Sequence, residues 1–184
     1  LNETLNKMEA INTLKRGEIL RLFEDWDSDV RDVASNTSVI TGTFDLSNGF
    51  QELGASGVRA LYQGNPDIEN AGDESAYSLA HTEQHAFFTN YVDIHDYEDA
   101  FLIDLNGNII YSAHKTEVFG TNLVTGPYNE SNLAKLYTNF ISSRENKSYI
   151  ADVGIFGDTY AMFVGAPVYD GSTLVGVLAY QIPI

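Results

Sequence analysis

The stretch from Tyr97 to Tyr128, YEDAFLIDLNGNIIYSAHKTEVFGTNLVTGPY, narrows the fold more than any other part of the chain. An apolar run, Ala100 to Ile103, reaches a polar turn at Asp104-Leu105-Asn106-Gly107-Asn108 and returns through Ile109, Ile110 and Tyr111. Asn-Gly between two apolar runs signals a β-hairpin, because the central residues of a tight two-residue turn need positive φ. Beyond it, Phe119-Gly120-Thr121-Asn122-Leu123 and Gly126-Pro127-Tyr128 predict a long irregular loop that ends near a new helix start. A rigid hairpin feeding an ordered loop is a place where small-molecule pockets are built.

The remaining periodicities surround this hairpin with helices and more strands. From Leu1 to about Thr37, apolar residues recur three or four apart through Leu5, Met8, Leu22, Trp26, Val30 and Val33, which predicts an amphipathic helix about 50 Å long. Polar Asn12 and Lys15 fall on the same stripe, so the helix reads either as a cover for one face of a sheet or as a parallel dimer seam. Between Thr37 and Asn70 the pattern weakens to two short helices, about 47–53 and 58–63, separated by Gly54 to Gly57. Residues 65–75 read as a polar, acidic loop, and 75–93 as a helix with Tyr77, Ala80, Phe87, Phe88 and Tyr91 on its apolar face. After the hairpin comes a helix starting at Asn129 or Ser131 and ended by residues 142–146. Three strand-like runs follow, 148–156, 159–168 and 173–182, joined at Gly157-Asp158 and Asp170-Gly171. The sum is an α+β chain with roughly five strands, mostly or wholly antiparallel.

Composition excludes several function classes. Ten basic against 26 acidic residues give a net charge of −16, the wrong sign for nucleic acid, and such a surface repels anionic lipid headgroups unless divalent cations bridge them. A saline habitat is the simplest account of that charge. The absence of cysteine removes disulfides, thiolate nucleophiles and thiolate metal sites. No apolar run reaches the roughly 20 residues of a membrane helix. The ends, Leu1 and Ile184, suggest a piece of a longer chain, and Asn-x-Ser/Thr triplets at Asn2, Asn36, Asn129 and Asn146 add only weak support for a secreted location.

Taken together, several segments resemble the extracytoplasmic Cache (PAS-like) sensor domains of chemoreceptors and histidine kinases. The resemblance is carried by Tyr97-x-Asp99-x-Phe101-Leu102-Ile103-Asp104, Gly107-Asn108-Ile109-Ile110-Tyr111, Phe119-Gly120-Thr121-Asn122-Leu123 with Gly126-Pro127-Tyr128, and Ala166-Pro167-Val168 through Gly176-Val177-Leu178. Leu22-Phe23 and Val30-x-x-Val33-Ala34 also resemble the helix that enters such domains. It covers nearly the whole chain and implies a PAS-like antiparallel sheet with a long N-terminal helix. On this reading residues 1–96 are a helical extension and 97–184 the sensor module, together one structural domain. The resemblance further implies a non-enzymatic extracytoplasmic module between two transmembrane helices, binding a small ligand and signalling inward as a homodimer along the N-terminal helix. It implies no cofactor and no nucleic acid partner. No Arg-rich amino-acid-binding signature is present, so the ligand stays open, and the output domain lies outside these residues.

The residues suggest where a ligand would sit. Tyr111, Phe119, Tyr128, Tyr160 and Phe163 are candidate aromatic walls, although aromatics at strand positions also serve as core. Lys115, opening the loop, reads as a solvated lysine or as the anchor for a ligand carboxylate. Asp152 lies within a β-rich run, where an unpaired carboxylate is costly to bury, so it faces water or meets a cation such as Lys115. Asp104, at the hairpin turn, reads as a side chain bonded to its own backbone. His81 and His85 share one helical face at a spacing that can hold a metal, yet a site needs three or four converging ligands, so packing or capping roles are preferred. No G-x-S-x-G elbow or paired carboxylates point to a hydrolase. The alternatives to a small-ligand sensor are a divalent-cation sensor using the acidic surface and a ligand-free dimerisation or docking module.

Overall fold

A computed structural model describes residues 1–184. Three helices come first: α1 (Asn2–Ala34), α2 (Thr37–Tyr62) and α3 (Ala76–Ile94). The hairpin β1 (Asp99–Ile103) and β2 (Ile109–Ser112) follows, then α4 (Asn132–Ser143) and the meander β3 (Tyr149–Phe156), β4 (Thr159–Asp170) and β5 (Thr173–Ile182). The strands form one antiparallel sheet in the order β2-β1-β5-β4-β3, so the C-terminal strand lies at the centre. Alternation along the strands divides the core in two. Ala100, Leu102, Val164, Ala166, Leu178 and Tyr180 face α1, α2 and α3, whereas Phe101, Ile103, Phe163, Val177 and Ala179 face α4 and the loop before it.

Side-chain caps set the helix boundaries. The Asn36 side chain accepts from Ser38 N at 2.9 Å, Ser75 from Ser78 N at 3.1 Å and Ser131 from Ala134 N at 3.1 Å, each satisfying a backbone donor that the first turn leaves free. Extended backbone at Asn36 ends the long N-terminal helix and starts the next. The first buried residue of α1 is Val30, so its N-terminal two thirds stand clear of the body with Leu5, Met8, Ile11, Leu14, Ile19 and Leu22 exposed.

Two sequence expectations are corrected. The helical segment α2 is broken at Gly54 (φ 75°, ψ 162°) as expected, but its first part begins at Thr37, ten residues before the expected start near Ser47. Val39, Thr43, Leu46 and Phe50 are buried along one face, and the Thr43 hydroxyl donates to Val39 O at 2.7 Å, so packing overrides a β-branched, glycine-containing sequence. The hairpin turn spans five residues, with only Gly107 at positive φ. Asp104 organises it: Oδ1 accepts from Asn106 N and Asn108 N, both at 2.9 Å, and Oδ2 from Asn108 Nδ2 at 3.0 Å, the backbone role expected of it.

α2 and α3 approach closely where Gly49 meets Tyr77. A Cβ at Gly49 would lie 2.5 Å from the Tyr77 backbone, which cannot swing away as a side chain could. Gly49→Ala is therefore expected to destabilise the protein by about 1–3 kcal/mol in urea unfolding. An unchanged midpoint would show that the two helices do not meet this tightly.

Candidate functional site

Several of the buried polar residues, Ser78, His81, His85, Ser112 and Lys115 among them, gather between α3, the 63–75 loop and the outer edge of β2. α3 presents His81 and His85 one turn apart, both buried, with rings stacked at 4.5 Å between centroids. Tyr62 from α2, Tyr77 from α3 and Tyr111 from β2 continue this aromatic rack. Tyr62 lies 4.2 Å from His81, Tyr77 6.0 Å from His81, and Tyr111 5.8 Å from His85. Lys115 enters from the loop after β2 and is fully buried.

Hydrogen bonds fix the tautomers of both histidines. His85 Nε2 lies 2.5 Å from Pro66 O, and a carbonyl only accepts, so Nε2 carries the proton. Its Nδ1 is then the acceptor for the Tyr111 hydroxyl at 2.7 Å. His81 Nδ1 donates to Glu69 O at 2.7 Å, leaving Nε2 with a lone pair that is buried and has no partner. The Tyr62 hydroxyl accepts from Ala71 N at 3.0 Å and donates to Ser78 at 2.7 Å. The 63–75 loop is thus fastened over these rings through Pro66, Glu69 and Ala71.

Lys115 is neither solvated nor ion-paired. Its ammonium group donates to Ser112 O and sits 4.1 Å from the centroid of the Tyr111 ring and 5.3 Å from that of Phe119, a cation–π arrangement. No carboxylate lies within ion-pairing distance of it. Its backbone has φ 53°, a left-handed conformation that a lysine adopts only when held there by its surroundings. The buried carboxylate nearby, Asp99, is turned to other donors: Ala100 N at 2.8 Å, the Ser112 hydroxyl at 3.0 Å and His114 N at 3.1 Å.

Burial dominates the electrostatics. It pulls Lys115 down to about 7 from the ordinary lysine value, with Asp99 opposing the shift. Burial, reinforced by the Lys115 charge, pulls His81 down to about 2 and lowers His85 as well. Burial raises Asp99 and holds Tyr111 well above the usual phenol range. Both imidazoles are therefore neutral at pH 7.

Of the ligand-binding residues suggested by the sequence, Tyr111, Lys115 and Phe119 come together here. The others lie elsewhere. Tyr128 and Phe163 flank Phe156 on the α4 side, at 5.0 and 5.1 Å from its ring. Tyr160 is 67% exposed and Asp152 faces water at the β3 edge, so Asp152 does not meet Lys115. Reading Lys115 as a solvated loop lysine is corrected by its burial, which depends on contacts remote in sequence such as Gly64 N donating to Lys115 O at 2.8 Å. His81 and His85 do take the packing role preferred for them; their spacing signalled a shared helical face, though not the loop carbonyls they hold. A broader open groove of about 350 Å³ lies between the end of α1 and β4, lined by Asp27, Arg31, Asp32 and Tyr169 among others. It holds none of the sequence-suggested residues and has no enclosed polar group without a partner.

A second aromatic cluster lies two turns further along α3. Tyr97 and Tyr180 stack at 4.6 Å, Tyr91 and Tyr180 at 5.3 Å, and Tyr91 and His95 at 4.1 Å. Asp29 of α1 accepts from the Tyr97 hydroxyl at 2.7 Å and lies 3.5 Å from His95. α1, α3 and the central strand β5 therefore meet at one point.

No known family profile and no curated protein matches the sequence. Solved structures do share its architecture. The sensor domain of the V. cholerae histidine kinase DctB superposes with a TM-score of 0.57 at 14% identity, over 98% of this chain and 56% of that one. More distant are two chemoreceptor domains. The sensory domain of Campylobacter jejuni Tlp3 with isoleucine bound gives a TM-score of 0.43 at 14% identity, over 89% of this chain and 62% of that one. The ligand-binding domain of Pseudomonas fluorescens CtaA in complex with L-serine gives 0.41 at 13%, over 91% and 60%. The chain spans less than two thirds of the length of these structures. The fold is the PAS-like sensor-domain fold that the sequence resembles.

Protonation links this site to stability. In the unfolded chain the histidines titrate near 6.5, and in the folded protein lower, so below about pH 6.5 the unfolded state binds more protons. Stability should accordingly fall as pH drops from 7 to 5. His81→Phe, which keeps a ring in the stack, should show a shallower fall in urea midpoints over the same range. Equal slopes would contradict a buried neutral His81.

Proposed function

We propose that this chain is the ligand-sensing module of a transmembrane receptor, a histidine kinase or chemoreceptor, and that it works without catalysis on the extracytoplasmic side. One observation carries this reading: a buried lysine with no ion-pair partner and a buried histidine lone pair with no hydrogen-bond partner lie close together beneath a fastened loop. Structural proteins rarely bury such groups, because each unmet bond or unpaired charge costs stability. A small molecule that meets them offers differential affinity for two states, which a sensor requires. The fold shared with a histidine kinase sensor domain supports the same conclusion. No helix of this chain is long and apolar enough to cross a membrane, so spanning segments would flank it.

Transmission would run through α3 and α1. α3 carries His81 and His85 beneath the 63–75 loop and Tyr91 at the cluster where Asp29 of α1 meets Tyr97 and the stack reaches Tyr180 of β5. A ligand that shifts α3 therefore acts on the long helix and the C-terminal strand together. The exposed stripe of α1 has heptad spacing through Leu1, Leu5, Met8, Asn12, Lys15, Ile19 and Leu22, which suits a parallel pairing with a second copy. Asn12 and Lys15 would make that seam weak on its own and dependent on outside tethering.

Two measurements test these claims. A thermal-shift screen against organic acids, amino acids, amines, purines and divalent cations should give a rise of several degrees with one chemical class; a flat screen would count against a sensing role. In sedimentation equilibrium, Asn12→Leu combined with Lys15→Leu should shift the protein toward dimer, and Leu5→Asp with Leu22→Asp should hold it monomeric. Identical behaviour of the two double variants would refute the seam.

A further inference from the structure

We infer that acid is a stimulus for this module in its own right: on protonation, His81 and His85 leave the edge of β2 and take the 63–75 loop with them. This goes beyond the small-ligand reading and stands without any ligand.

Hydrogen-bond valence decides where the structure parts. Each ring spends its one proton outward, His85 Nε2 on Pro66 O and His81 Nδ1 on Glu69 O, so a second proton must enter on the inner nitrogen. At His85 that nitrogen is Nδ1, the acceptor for the Tyr111 hydroxyl, and once protonated it can only donate. For the Tyr111 oxygen to accept instead, its own hydrogen would have to leave the one acceptor it has. At His81 the inner nitrogen is Nε2, which is buried with no partner for a new N–H. Both outward bonds survive and become charge-assisted. Acid therefore spares the contact of α3 with the 63–75 loop and attacks its contact with β2.

The surrounding charges have the same polarity. Lys115, on the β2 side with Asp99 of β1 behind it, opposes a charge on either ring. Asp67 and Glu69, on the loop, favour a charged His85. Tyr62 of α2, Tyr77 of α3 and Tyr111 of β2 complete the titratable neighbours. The two rings stack at 4.5 Å, so a second imidazolium also meets the first. Rings that move outward with the loop leave Lys115 behind and keep the carboxylates. The buried arrangement holds both histidines below their ordinary value and hydration restores it, so the balance shifts toward the parted form as pH falls below about 6.5. Lys115, pulled down to about 7, is already largely charged in that window.

The start of α3 is the hinge. Tyr77 donates to Ile110 O at 2.6 Å, and Tyr62 donates to Ser78 at 2.7 Å and accepts from Ala71 N at 3.0 Å, three bonds that no histidine enters. Further along, α3 meets β2 through His85 and through Phe88, 5.2 Å from the Tyr111 ring. Parting there swings the far end of α3, with Tyr91, against the cluster at Asp29 of α1.

Pulsed electron resonance between pairs of spin labels tests this on the 184-residue chain, whose lack of cysteine lets two introduced ones be labelled cleanly. One pair, Glu83→Cys with Glu117→Cys, spans α3 and the loop after β2; the other, Glu83→Cys with Asn70→Cys, spans α3 and the 63–75 loop. All three positions are exposed. Between about pH 7.5 and about pH 5 the first distance should lengthen and the second should stay. Adding His81→Phe and His85→Gln together should abolish the lengthening. If that variant proves unfolded by circular dichroism, the contrast between the two pairs decides. No lengthening of the first pair, lengthening of the second alone, or an undiminished response without the histidines would overturn the inference and leave the small-ligand reading standing. A flat metabolite screen would not touch it.

Discussion

A lysine buried without an ion-pair partner is the constraint on which the rest of this structure depends. The 63–75 loop, α3 and the Tyr111 and Phe119 rings shut water away from Lys115, so Ser112 O and the two ring faces must stand in for its hydration. Excluding water in turn requires neutral imidazoles, since a second positive charge beside the first would open the site. Burial and the Lys115 charge hold His81 and His85 in that state, against the opposing pull of their hydrogen bonds to loop carbonyls. The 63–75 loop, the helix and the hairpin edge are therefore parts of one hydrogen-bonded arrangement.

The two faces of the sheet divide the labour. Against α4, Phe101, Phe156, Phe163, Leu133 and Phe140 make an apolar layer with little polar content. That layer fixes the curvature and register of the strands. The opposite face mixes apolar packing with the protein's buried histidines, Lys115 and most of its buried tyrosines. Close-packed apolar cores resist deformation, whereas hydrogen-bonded networks have discrete alternative arrangements. The hydrogen-bonded face also carries the contact between α1 and β5, which meet at Asp29, Tyr97 and Tyr180.

Much of the fold was legible in the sequence because its signals are local. Ser75 and Ser131 cap the helices they precede, the strand runs after Asn146 end at Gly157 and Gly171, and Asp104 closes its own turn. The N-terminal part of α2 was not legible, since Thr37-Ser38-Val39-Ile40-Thr41-Gly42-Thr43 has poor helix propensity and is helical through contacts with α3 and the sheet. The site was half legible. Tyr111, Lys115 and Phe119 stand close in the chain and were grouped by position, but strand alternation alone could not tell that Phe163 and Tyr128 belong to the other face. The seating of the 63–75 loop was unreadable, because Pro66 and Glu69 contribute backbone carbonyls, which carry no side-chain signature.

Amide hydrogen exchange, with and without whichever probe raises the melting temperature most, tests the central claim that sensing occurs beneath the 63–75 loop. Slower exchange in residues 63–75 and in the turn of α3 carrying His81 and His85 is the result this account requires. Protection confined to the α4 side, around Tyr128, Phe156 and Phe163, with that loop unchanged, would place the sensing site on the opposite face and contradict it.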